Sequence, residues 1–324
     1  MKITQFSYIY PRLTNLVKGR ILPLLFMVLI ASGCATTSES VQKFSPTRGS
    51  ILEEAAREDK KESLEKLSYE ELLYRGNKYL SLANAKLAVL HFQMALKREP
   101  DSVDAHAGLG ETLTLTGENQ AAHLYLNKAL RLDRQNRQAL LSTGRLYREE
   151  GDYIQAEMYL NQAREIYPAD PEILTELGIT YGRMDQVDQA KHLLVKVVEL
   201  KPRDASAYNN LGFNYILMGN YPAAITAFRE GLELGPDSPR LLNNLAAAYA
   251  LNSQHRKAFN LFRKTGTEAA AYNDLGYIYM MRGQTDTARE YFKKALRLNP
   301  RHYVLAKENL SLLETEPWRK GIAQ

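Results

Sequence analysis

From Tyr69 onward, the small and apolar residues recur with a period of 34. Units begin at Tyr69, Val103, Arg137, Pro171, Ala205 and Pro239, and one shorter step of 30 reaches Ala269. The eighth position of each unit is glycine, from Gly76 to Gly276, except for Ala246 in the sixth. The twentieth is alanine throughout, from Ala88 to Ala288. The eleventh is tyrosine except for Leu113, and the twenty-fourth is Phe or Leu, from Phe92 to Phe292. Polar residues fill the positions between.

This spacing predicts two helices per unit, each with one apolar stripe. Gly117, Gly151, Gly219 and Gly283 all stand at the fifteenth position and divide the pair. Pro100, Pro168, Pro202, Pro236 and Pro300 close five of the units, where a second helix must stop. Asp170-Pro171 and Ser238-Pro239 place a capping side chain before a proline suited to the first helical turn. Small residues at positions eight and twenty let the two helices approach closely. In the sixth unit, Thr265-Gly266-Thr267 interrupts the pattern, which predicts a second helix about one turn shorter than the others. Residues 303–315 read as one further helix that caps the last apolar face, and 316–324, with Trp318, as a tail.

The recurring positions resemble the tetratricopeptide repeat (TPR) family over most of the chain. The resemblance implies an all-α solenoid of about seven helix-turn-helix repeats over residues 67–302.

The first 33 residues follow another logic. Lys2, Arg12, Lys18 and Arg20 precede an apolar run, Ile21 to Ala31, which is too short for a normal membrane span. Small residues then lead to Cys34, the only cysteine of the chain. A basic segment, a short apolar core and a small-residue flank form the pattern of a cleaved signal peptide. Ala31-Ser32-Gly33-Cys34 resembles a bacterial lipobox. That resemblance implies cleavage before Cys34 and acylation of its thiol. Ala35, rather than Asp, implies the outer membrane, with the protein facing the periplasm. Residues 34–66 begin as a Ser/Thr-rich tether and end in a charged stretch that reads as a leading helix.

Composition sharpens this picture. The chain of 324 residues is 45% apolar, so it is not a disordered polymer. Its formal charge is +5, from 42 basic and 37 acidic residues. Four of those basic residues and none of the acids fall in residues 1–33, leaving 38 basic against 37 acidic. A nucleic-acid partner therefore loses its electrostatic support. A single cysteine excludes an intrachain disulfide and a multi-thiolate zinc site.

No motif for chemistry stands out. The six histidines never pair at the helical metal-site spacing, and Gly108-x-Gly110 lacks the third glycine and the preceding strand of a nucleotide loop. The expectation is a protein without catalytic residues, metal or cofactor.

The TPR resemblance places partner binding on the face made by the first helices, at positions two, five, nine, twelve and thirteen. In the early units that stripe is polar and mixed in charge, with Glu111, Arg145, Arg148, Glu149 and Glu172 among its members. Later it becomes amide-rich and apolar: Asn209, Phe213, Leu217, Asn243, Asn273, Tyr277 and Met280 form the candidate partner-binding groove. An asparagine amide both donates to and accepts from a peptide backbone, and Met adapts to varied apolar side chains. The same stripe also reads as ordinary packing between repeats. The carboxylate clamp of chaperone co-factors is missing in the first and third units: Asn77 matches it, but Leu73, Gln138 and Ser142 do not.

Within TPR lipoproteins, the lipobox, the tether and the run from Ala269 to Leu310 resemble the TPR lipoprotein of tight-adherence (Flp/Tad) pilus systems. The resemblance implies a membrane-anchored scaffold. Its partners would be envelope proteins, such as a secretin or pilus-assembly subunits. A type IV pilus pilotin and an adaptor for peptidoglycan hydrolases and proteases are the alternatives.

Overall fold

The computed structural model describes residues 66–299 and 304–314. The expected signal peptide, Cys34, the tether through residue 65 and the tail from residue 316 lie outside the described residues. Among the described residues there are fifteen α-helices and no strand. They form two compact bodies, divided after Asn214.

The first body holds α1 (Tyr69–Ser81), α2 (Ala85–Arg98), α3 (Val103–Thr116), α4 (Asn119–Leu132), α5 (Arg137–Glu150), α6 (Tyr153–Ile166), α7 (Pro171–Arg183) and α8 (Val187–Leu200). The division falls within α9 (Ala205–Leu217). The second body continues with α10 (Tyr221–Leu234), α11 (Pro239–Leu251), α12 (His255–Thr265), α13 (Glu268–Met281), α14 (Thr285–Leu298) and α15 (Val304–Glu314). In the first body α1, α3, α5 and α7 also pack side by side, so the first helices of successive repeats build one face. In the second body α11, α13 and α15 do the same.

The starts follow the predicted chemistry. The Asp170 carboxylate accepts from the backbone N–H groups of Glu172 and Ile173, and the Ser238 hydroxyl accepts from that of Leu241. Ser102 caps α3 and also exchanges a hydrogen bond of 2.6 Å with the Tyr69 hydroxyl of the preceding repeat. As expected, α12 is short, at 11 residues against 14 in α2, α4, α6, α8, α10 and α14.

The turns between paired helices share one conformation. The residue at position fifteen takes a positive φ in all seven repeats, with Gly117 at 79°, Gly151 at 83°, Gly219 at 72° and Gly283 at 71°. Ala83, Asp185 and Ser253 hold the same place at 56°, 62° and 60°, a region costly for residues with a Cβ.

Position eight meets position twenty-four. A Cβ on Gly110 would lie 2.6 Å from Leu126, one on Gly144 2.5 Å from Leu160, and one on Gly276 2.7 Å from Phe292. Phe92 is enclosed twice: a Cβ on Gly76 would approach it to 2.6 Å, and one on Gly108 in the next repeat to 2.4 Å. The glycines are thus the floor on which the largest core side chains rest. Phe92, Phe228 and Phe292 are fully buried.

Candidate functional site

The inner face of the first body is polar because an ion-pair ladder crosses three repeats. Position nine of the third repeat is Arg145. Its Nη1 donates to Glu111 at 3.0 Å on one side, and its Nε donates to Glu176 at 2.9 Å on the other. Arg148, one turn later, donates to the second oxygen of Glu176 at 3.0 Å and pairs with Glu149 at 2.8 Å. Gln138 adds a hydrogen bond of 2.9 Å to Glu111. Burial opposes the charge of Arg145, but Glu176 and Glu111 outweigh it and raise its pKa above the ordinary value. The ladder joins α3, α5 and α7. Arg137 makes a parallel link to Asp170 and Glu172.

The inner face of the second body differs. Asn243 and Tyr277 are half-buried, as is Leu217 at the end of α9. Asn273 is 4% exposed and Met280 5%, so both turn largely away from solvent. The Asn243 carbonyl accepts from the Thr265 hydroxyl at the end of the short α12. The Asn273 carbonyl accepts from the Asn309 amide of α15 at 3.0 Å, and its own amide donates to Asp274 at 3.3 Å. Two of the predicted amides therefore engage groups of the chain itself. Asn209 is buried and Phe213 half-buried, and both belong to the first body.

Asp274 was not singled out by sequence. It is half-buried, and burial raises its pKa to about 6 against the single lowering contact from Asn273. A comparison of repeat positions would have found it: an acid at position six is rare here, and Glu176 is the other.

Among the described residues, four histidines have structural partners. His91 contacts the Leu87 carbonyl at 2.8 Å and His106 the Pro100 carbonyl at 2.9 Å. His123 pairs with Glu150 at 2.9 Å, and His255 stacks on Tyr279 with ring centroids 5.0 Å apart. Among the described residues, no group of three His, Cys, Asp or Glu is arranged to hold a metal ion. No helix among them is long and apolar enough to cross a membrane.

Family models described as tetratricopeptide repeat match residues 75–136, 116–171, 147–212, 203–265 and 269–302. The chain belongs to the tetratricopeptide repeat family. The match spans both bodies. Solved structures agree at the level of fold. A TPR protein from Parabacteroides merdae is 23% identical with a TM-score of 0.55, covering 76% of this chain and 98% of that one. A thermophilic TPR protein from Thermus thermophilus is 20% identical with a TM-score of 0.51, covering 56% and 98%. A human IFIT1 dimer, solved with m7Gppp-AAAA, is 18% identical with a TM-score of 0.59, covering 76% and 62%. At these identities the likeness shows the fold alone. No curated protein matches the chain.

Proposed function

We propose that this TPR protein is a non-enzymatic, lipid-anchored scaffold of a bacterial envelope that assists assembly of a pilus or secretion apparatus. The observation that carries the scaffold reading is the inner face of the second body, where Asn243 and Tyr277 stay partly open. A TPR repeat places its partner there. The anchor rests on the Ala31–Cys34 sequence, and two or more acyl chains would hold the protein firmly at a membrane. The pilus assignment rests on the resemblance to tight-adherence lipoproteins.

Two measurements test this. Metabolic palmitate should label the wild-type chain and not Cys34→Ser; label retained by the variant overturns the anchor. A photo-crosslinking residue at Tyr277, activated in the native envelope, should capture secretin or pilus-assembly subunits. Adducts confined to peptidoglycan hydrolases and proteases would replace the pilus reading with the adaptor reading.

A further inference from the structure

The repeats can be compared position by position, and one position separates the two bodies. At position six of the fourth repeat, Glu176 receives Arg145 and Arg148 from positions nine and twelve of the repeat before. At position six of the seventh repeat stands Asp274. Positions nine and twelve of the repeat before it are Ala247 and Ala250, whose side chains end at Cβ. No arginine of this chain occupies the corresponding place. Among the described residues no Lys, Arg or His pairs with Asp274; its one hydrogen bond comes from the neighbouring Asn273 amide at 3.3 Å.

A carboxylate removed from water without a cation is costly, and chains seldom keep one without compensation. Asp274 also keeps part of its surface open, on a helix that carries Tyr277 one turn later. The site is therefore a half-formed version of the Glu176 ladder, with its acid present and its cation missing. We propose that Asp274 reads a basic side chain, arginine above all, presented by the protein segment that binds the inner face of the second body. Arginine suits the place because its planar fork pairs with both carboxylate oxygens, as Arg145 and Arg148 together do with Glu176. The assignment rests on the scaffold reading above and names the chemistry its partner must carry. It also gives the alanines a purpose: they leave room where the earlier repeat supplies its own cations.

The test uses the full-length protein in detergent micelles and two pools of heptapeptides. One pool has arginine at its centre and random flanks; the other has citrulline, its neutral isostere. Retained peptides are quantified by mass spectrometry. Wild type should retain the arginine pool at least ten-fold over the citrulline pool. Asp274→Asn should bring that ratio close to one while melting at the same temperature or higher, and Tyr277→Ala should weaken both pools together. Equal retention of both pools by wild type overturns the role of Asp274 and leaves the scaffold reading standing. A preference for arginine that survives Asp274→Asn assigns it to another acid and also overturns the proposal. Retention of neither pool overturns the scaffold reading and this inference with it.

Discussion

The fifteenth position shows how one dihedral angle shapes every repeat. All seven turns need a positive φ, and only four spend a glycine on it. Ala83 and Ser253 hold that conformation against the clash of their own Cβ, which costs about 1 kcal/mol. Ala83→Gly and Ser253→Gly should each raise the unfolding free energy by roughly 0.5–1 kcal/mol, read from urea denaturation at constant slope. Gly117→Ala should lower it by a similar amount. Nothing lies within 4 Å of a Cβ built there, so the loss would be conformational alone. Asp274 is the other telling residue. Its pKa is about 6 in the fold against 3.8 as the ordinary value, so the folded state holds a proton that the unfolded chain has released. Stability is therefore lost as pH rises from about 3.8 through 6, and the penalty is complete above that window. Asp274→Asn should stabilise the protein at pH 7.5, by about 3 kcal/mol at most, and leave it unchanged at pH 3.5. Thermal melts of both proteins across that range check the sign.

Between elements, the contact that sets helix spacing is glycine against a large side chain. Gly276→Ala would press a methyl group to 2.7 Å from the Phe292 ring between α13 and α14. Overpacking of this kind costs about 1–3 kcal/mol. Combining it with Phe292→Val should recover part of the loss, because the shorter side chain leaves room for the added methyl; a double-mutant cycle measures the coupling. The recurrence of positions eight and twenty-four was legible in the sequence, but the close approach was assigned there to positions eight and twenty; the structure sets position eight against twenty-four. The ion-pair ladder was not legible. Glu111, Arg145 and Glu176 stand at positions nine, nine and six, so no single-position pattern joins them. They meet only because α3, α5 and α7 pack side by side. Asn273 and Asn309 were hidden for the same reason: one amide lies in a recognised repeat and the other in the capping helix. Glycine turns were read where glycine occurs and missed at Ala83, Asp185 and Ser253, where packing overrides residue preference. Glu176→Gln should cost about 2 kcal/mol or more, since it removes the acid from two arginine side chains that are 18% and 11% exposed.

At the scale of the whole molecule, the repeat order dictates how damage spreads. Within each body, repeats pack on their sequence neighbours, so the stability of a body is close to a sum of local terms and nearest-neighbour interfaces. A lesion near one end should then loosen that end without unfolding the other. Phe292→Ala tests this, because Phe292 is fully buried beneath Gly276 and its loss opens a cavity in the last full repeat. Helix α15 packs on α13 and α14, and its Asn309 holds Asn273, so it should be released as well. Hydrogen exchange read by mass spectrometry should show faster exchange in α13, α14 and α15, by ten-fold or more. Peptides from α1 to α7 should exchange at the wild-type rate, because Glu111, Arg145, Glu176 and the glycine contacts that hold them belong to the other body. A uniform rise in exchange across all helices would mean that the chain unfolds as one cooperative unit and that the nearest-neighbour description fails. The pattern also bears on binding: a partner on the inner face of the second body should protect the same C-terminal helices that Phe292→Ala exposes, and leave the ladder repeats unchanged.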